Sequence, residues 1–262
     1  MQTSLFPDES SASAASLSPL SLVKVGCAGW SLPRAQWPEF PATGTHLQRY
    51  AARFNAVEIN SSFYRPHQTA TYARWAASVP EHFRFSVKLP RTITHQQRLA
   101  GCAGLLGDFL AQAGGLGEKL GCLLVQLPPS LAFDAALVQD FLRLLRECHG
   151  GPVALEPRHA SWFTAPADPL LHAWQVGRVL ADPVVHEAGR LPGGFAGLVY
   201  VRLHGSPRMY YSAYDRAVLD ALVARLQRAA TSGAAVWCVF DNTAEGAAMQ
   251  DALYTVQGLE RR

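Results

Sequence analysis

Short runs of β-branched and apolar residues recur along the chain at 23–30, 56–63, 84–89, 121–127, 152–158, 178–182, 197–204 and 235–242. Between most of them, apolar residues fall at helical spacing over 46–54, 70–78, 105–116, 135–148, 168–175, 215–230 and 245–256, whereas 183–196 is irregular. Strand followed by helix, repeated, predicts a parallel sheet, because parallel neighbours need a crossover long enough to hold a helix. Eight such units in 262 residues match the count and size of a single α/β (β/α)8 TIM-like barrel. The main competitor is a doubly wound open sheet. Against it, Gly26, Cys27, Ala28, Gly29 and Trp30 run directly into Ser31 and Leu32, with no phosphate-binding glycine loop after the first strand.

Alternation within the strands separates two chemistries. Val57, Ile59, Phe85, Val87, Leu89, Leu123, Val125, Leu127, Val153, Leu155, Val199, Val201, Leu203, Cys238 and Phe240 form an apolar set suited to packing under helices. The positions between them include Glu58, Asn60, Ser86, Lys88, Gln126, Glu156, Arg158, Arg202, His204 and Asp241, and Asp182 ends the sixth strand. These polar residues gather at the C-terminal strand ends, where barrel enzymes carry their sites.

The expected catalytic set is therefore Glu58, Lys88, Glu156, Asp182, His204 and Asp241. The carboxylates would act as general acids or bases and His204 would shuttle a proton near neutral pH. Lys88, Arg158 and Arg202 would hold an oxygen-rich anion. The loops beyond the strand ends add aromatic and basic groups, so Asn60, Tyr64, Arg91, His95, Gln126, Arg158, Arg202, Tyr211 and Asn242 are the expected substrate-binding set. A salt-bridge network that only plugs the barrel competes with this reading, since such networks also occur without function.

Composition narrows the picture modestly. With 49% hydrophobic and 16% charged residues the chain can bury one large core, and residues 23–258 are the expected barrel domain. Residues 1–22, rich in Ser and Ala, lack the basic start and apolar run of a secretory leader, which points to a disordered tail on a cytoplasmic protein with no membrane partner. A net charge of +3 is too small by itself to imply nucleic acid. Five scattered cysteines show neither metal-ligand spacing nor a disulfide framework, and Cys27, Cys122 and Cys238 lie in apolar runs as small hydrophobes.

The ordered blocks Gly26-Cys27-Ala28-Gly29-Trp30-Ser31, Val57-Glu58-Ile59-Asn60-Ser61-Ser62-Phe63-Tyr64 and Phe85-Ser86-Val87-Lys88-Leu89-Pro90 open a signature that resembles the YecE-like family, domain of unknown function 72. Leu124-Val125-Gln126-Leu127-Pro128-Pro129-Ser130, Leu155-Glu156-Pro157-Arg158, Tyr200-Val201-Arg202-Leu203-His204-Gly205 and Phe240-Asp241-Asn242-Thr243 continue it. The resemblance implies a TIM-like barrel and supplies no reaction. Pro157 and Ala160 depart from it, standing where an aromatic residue and a proline are usual.

The favoured expectation is an enzyme, a hydrolase or lyase, acting on a small polar or phosphorylated substrate. The alternative from another class is a non-catalytic nucleotide or nucleic-acid binding module that uses the rim tyrosines and arginines. A glycosidase would need a stereochemically spaced carboxylate pair, and Glu58 and Glu156 lie nearly across the barrel from each other. A divalent metal is a further option for the unassigned cofactor. Glu156, Asp182, His204 and Asp241 are acceptable ligands, although Arg158 and Arg202 would repel a cation.

Overall fold

The apolar runs become strands because β-branched and aromatic side chains fit a pleated, half-buried surface. The computed structural model, which describes residues 22–261, places them as β1 (Val23–Cys27), β2 (Ala56–Ile59), β3 (Arg84–Lys88), β4 (Leu120–Gln126) and β5 (Val153–Glu156). They continue as β6 (Val176–Arg178), β7 (Leu180–Asp182), β8 (Gly193–Gly194), β9 (Leu198–Leu203) and β10 (Ala235–Phe240). The helices are α1 (His46–Ala51), α2 (Ser61–Tyr64), α3 (Thr69–Ala77), α4 (Ala103–Ala113), α5 (Ala135–Cys148), α6 (Ala167–Ala173), α7 (Arg216–Thr231) and α8 (Ala247–Glu260). Of the expected tail, residues 1–21 lie outside the described residues. No described helix is long and apolar enough to cross a membrane.

The fold is mixed α/β with two sheets ordered β1-β10-β9-β7 and β2-β3-β4-β5-β6-β8. Every pairing is parallel except that of the short β8 against β6. Local signals explain the helix starts: Thr45 and Gln48 form a reciprocal cap before α1, and the Asp134 carboxylate accepts from two backbone N–H groups that open α5. In α5, Val138, Phe141, Leu142 and Leu145 share one buried face at helical spacing.

Two elements differ from the sequence expectation. The second strand stops at Ile59, and 61–64 turn into helix α2, where the Ser62 hydroxyl donates to the carbonyls of Ile59 (3.0 Å) and Lys88 (2.7 Å). The sixth strand divides: β6 belongs to one sheet and β7 to the other, with the Val179 N–H donating to Leu155 O (2.9 Å) between them.

The sheets also approach each other at β1 and β2. An isolated parallel bridge joins Ala28 to Glu58 there, and the Tyr50 hydroxyl donates to Ala56 O (2.9 Å) while accepting from Cys27 N (2.8 Å). Gly26 permits this approach, because a Cβ at that position would stand 2.0 Å from Ala56 O.

The apolar set of the sequence pattern does face the helices. Val57, Val87, Leu123, Leu155, Leu203 and Phe240 share one core with helix residues such as Leu142 and Leu226. The opposite faces of both sheets meet in a second cluster that includes Ala56, Cys122, Leu124, Ala154, Tyr200 and Trp237, the last two stacked at 5.8 Å. Cys27, Cys122 and Cys238 are buried free thiols, all pushed up by burial.

Candidate active site

Above the second core, the strand ends carry ionised groups on the face shared by Ala56, Ala154 and Tyr200. Arg202, in β9 and fully buried, is the hub. Its Nε and Nη2 donate to the two oxygens of Glu58 (3.0 and 2.6 Å), Nη1 donates to Glu156 Oε2 (2.7 Å), and Nη2 also reaches Asp241 Oδ2 (3.1 Å). One guanidinium thus ties together strands from both sheets, a task suited to a planar fork of five donors. Burial opposes its charge, but Glu58, Glu156 and Asp241 outweigh that and hold it firmly protonated.

His204 lies one residue beyond β9, with Nδ1 2.9 Å from Asp241 Oδ2 and Nε2 3.0 Å from Glu156 Oε1. Burial alone would lower its pKa; the two carboxylates reverse this and raise it above the ordinary value. Arg158 pairs with Glu156 Oε1 and places Nη2 2.8 Å from His204 Nε2. Burial would raise the Glu156 pKa, yet Arg202 and Arg158 hold it well below the usual carboxylate range. Asp241 is likewise lowered, with Arg202 and His204 outweighing its burial.

Lys88 ends β3 and is only 8% exposed. Its ammonium stands 4.2 Å from the centre of the Phe63 ring and makes no ion pair or hydrogen bond among the described residues. Burial first, then the Arg202 charge, pushes it down to about 8 against the opposing pull of Glu58, Glu156 and Asp241. Asn60 completes the edge, its Nδ2 3.4 Å from Asp241 Oδ1. Buried Asn60 Oδ1 and Arg158 Nε have no hydrogen-bond partner.

Eight expected site residues therefore come together: Glu58, Asn60, Lys88, Glu156, Arg158, Arg202, His204 and Asp241. Gln126 pairs with Glu156 in the strand register, but its amide points to its neighbour's carbonyl, Leu127 O, at 3.5 Å. His95 lies edge-on to Phe63 (4.9 Å) with Nδ1 2.8 Å from the Thr94 hydroxyl, and burial lowers its pKa, helped by Lys88 and Arg91. Tyr64 is 72% exposed and shares with Arg91 the lining of a separate cavity of ≈ 250 Å³.

Three more residues go elsewhere. Asp182 pairs in register with Leu203 and so shares its helix-facing side, because the inward positions of the divided strand are Gly177, Val179 and Ala181. Its carboxylate accepts from the Tyr214 hydroxyl (2.8 Å) and lines an outer cavity of ≈ 700 Å³. Asn242 turns toward α8, donating to Asp251 Oδ2 (2.8 Å) and Ser212 O (2.9 Å). Tyr211 lies under the Arg208 guanidinium, 3.6 Å from its ring centre. The four-ligand metal set is not assembled, since Asp182 faces away and arginines occupy Glu156 and Asp241; no group of three or more His, Cys, Asp or Glu among the described residues could hold an ion.

Besides Phe63 under the Lys88 ammonium, two further contributors lie outside the expected set. Tyr200 donates to Glu58 Oε2 (2.9 Å) with Ser86 Oγ 2.8 Å away, and its parity with Arg202 and His204 was a usable signal. Tyr210, not Tyr211, covers His204: its ring lies edge-on at 5.7 Å, turned there by a left-handed backbone (φ 70) that non-glycine residues rarely adopt. Nothing in the sequence marks that strain.

Comparison with known proteins places this arrangement among relatives. Over 168 residues the chain is 34% identical to the UPF0759 protein YecE of Escherichia coli (strain K12), which is 62% of this chain and 59% of that protein. It is 29% identical over 152 residues to the UPF0759 protein YunF of Bacillus subtilis (strain 168), covering 55% of this chain and 54% of YunF. These matches thus span less than two thirds of either relative's length. The crystal structure of a DUF72 family protein from Thermotoga maritima superposes with a TM-score of 0.75 at 25% identity, over 91% of this chain and 99% of that one. The family described as "Protein of unknown function DUF72" matches residues 24–262, and the chain belongs to that family.

Proposed function

We propose that residues 23–258 form one (β/α)8 barrel of a cytoplasmic enzyme, a hydrolase or lyase, whose active site is the charged mouth around Arg202 and His204. What supports closure is the Ala28–Glu58 bridge at one seam and the run from β6 into β7 at the other. The substrate is a small polar molecule bearing an anionic group. His204, held on both ring nitrogens, serves as the acid–base group, and Asp241 and Glu156 set its orientation and protonation.

The observation that carries this reading is a set of unsatisfied groups on one edge of an otherwise saturated network. Among the described residues, buried Asn60 Oδ1 and Arg158 Nε have no hydrogen-bond partner, and the Lys88 ammonium makes no ion pair. Each borders the Asp241–His204 pair through a direct bond or through the local field. An unpaired buried polar group costs about 1–3 kcal/mol, and of the six such atoms among the described residues, Asn60 Oδ1 and Arg158 Nε are the two on side chains bonded to the Asp241–His204 pair. A substrate with an anionic group and an N–H or O–H would satisfy all three.

A thermal-shift series with inorganic phosphate, citrate and glyoxylate tests it. At least one probe should raise the melting temperature in a saturable way, and Arg158→Met should remove the rise. If none of the three shifts the wild-type protein, the mouth is not an anion-binding active site.

A further inference from the structure

The chain contains three lysines, Lys24, Lys88 and Lys119, among 23 basic residues. Among the described residues every ion pair takes its cation from Arg or His, and none from Lys. Lys119 has a structural task, its ammonium donating to the carbonyls of Ala76 and Val79, both at 2.8 Å. Lys88 has no comparable anchor. It stands at the charged mouth with carboxylates nearby, yet all three of those carboxylates are bonded to Arg202, and Glu156 and Asp241 to His204 as well. If this position needed only positive charge, arginine would serve, since it pairs with carboxylates bidentately and never deprotonates. A lysine offers what arginine cannot, a neutral amine with a lone pair.

We infer that Lys88 is the nucleophile of the site and forms a Schiff base with small aldehydes or ketones that carry an anionic group. This rests on the proposed reading of the mouth as the active site. The chemistry balances without a further reagent. The neutral Lys88 amine adds to the carbonyl carbon, forming the C–N bond, while the carbonyl π electrons move to oxygen, which takes a proton from the His204 imidazolium. The adduct nitrogen, now cationic, passes one proton to the neutral His204 imidazole, which returns it to the hydroxyl as that oxygen leaves as water and the freed nitrogen lone pair forms the C=N bond, leaving a protonated iminium on Lys88. The net change is one carbonyl compound, one neutral amine and one proton from His204 giving one iminium and one water.

The surroundings suit each stage. Burial and Arg202 lower Lys88 to about 8, which leaves about two orders of magnitude more neutral amine at pH 7 than an ordinary lysine has. The two carboxylates raise the His204 pKa, which favours the protonated form that can donate. The idle Arg158 Nε is a donor for the anionic group of the substrate, and the Phe63 face supports the cationic iminium where it now supports the ammonium. Lys24 is an internal comparison: burial and Arg84 lower its pKa too, but it sits in the first residues of β1, away from the strand ends.

The test is reductive trapping of the full chain with sodium cyanoborohydride and glyoxylate, pyruvate or glyceraldehyde 3-phosphate in separate reactions, read by intact mass and peptide mapping. The expected result is one stable adduct on Lys88, at least about tenfold ahead of Lys24 and Lys119, because only Lys88 stands at the charged mouth without a hydrogen-bonded anchor. The adduct should vanish in Lys88→Arg. Because mapping locates the label in the unmodified protein, the result does not depend on that variant folding. Adducts spread evenly over the three lysines overturn the inference. Thermal stabilisation by glyoxylate or phosphate without trapping also overturns it while leaving the anion-binding mouth in place; the absence of both overturns the two together.

Discussion

Asp241 and Asp182 flank the same strand end and live in opposite surroundings. The Asp241 N–H donates to Leu203 O (2.8 Å), and the Asp182 carbonyl accepts from His204 N (2.7 Å), so both backbones are tied to the end of β9 from either side. Yet Asp241 faces Arg202, His204 and Asn60, whereas Asp182 meets the Tyr214 hydroxyl and an outer cavity lined by Leu180, Val201, Leu203 and helix α7. Strand parity makes the difference. Asp241 follows Trp237 and Val239 on the inward face, and Asp182 follows Leu180 on the face that packs under the helices. A carboxylate at a strand end is thus no sign of an active site until its face is known.

That contrast can be broken most forcefully at its hub. Replacing Arg202 by Met leaves Glu58 buried without its ion-pair partner and Glu156 with Arg158 and His204 alone, and removing one member of a buried ion pair costs about 3–5 kcal/mol. The melting temperature should fall by about 10 °C. A melting curve unchanged from wild type would mean that the mouth cluster does not support the fold.

A second test uses pH. The folded pKa of His204 is raised above 6.5, so its contribution is complete below that value and is lost as pH rises through the higher folded value. Glu156 and Asp241 are lowered, so their contribution is present above their ordinary values of 4.5 and 3.8 and is lost as pH falls through the depressed ones. Urea midpoints should therefore decline toward both extremes, and His204→Gln should flatten the neutral-to-alkaline limb. An unaltered limb in that variant would show that the imidazole does not carry it.

The smallest effect belongs to the outer corner. Tyr214→Phe removes the hydroxyl that bonds Asp182 and accepts from the Gly205 N–H (2.9 Å), which should cost about 1 kcal/mol. Asp182→Asn keeps an acceptor for Tyr214 and should change stability by less than about 0.5 kcal/mol. Neither should alter anion-induced stabilisation at the mouth. If Asp182→Asn abolished ligand stabilisation, the two corners would be one site and the parity argument would fail.

Much of the architecture was legible in the chain. Val57, Val87, Leu155, Leu203 and Phe240 each have an ionisable neighbour, and a period of two then assigns their faces. At 176–182 the signal inverts, because both polar residues, Arg178 and Asp182, share a parity with Val176 and Leu180: Arg178 faces outward and pairs with Asp168 (2.7 Å), while Ala181 takes the inward position that Asp182 was expected to hold. Tyr200 was readable by the same rule and was hidden only by its aromatic character. Tyr210 was readable as one of the rim tyrosines, but not its place over His204, since a left-handed residue other than glycine leaves no compositional trace.

The sequence by itself determined where strands and helices form, which family the chain resembles and which face of most strands is polar. These follow from propensities and periodicities acting within a few residues. Only the tertiary structure decided that Arg202 binds three carboxylates at the ends of three other strands, that Lys88 beside them makes no ion pair among the described residues, and that Asp182 is turned outside. Those outcomes depend on distances between residues 39 to 144 positions apart, as for Arg202 with Asp241 and Glu58. No local pattern encodes such distances; sheet register and packing set them.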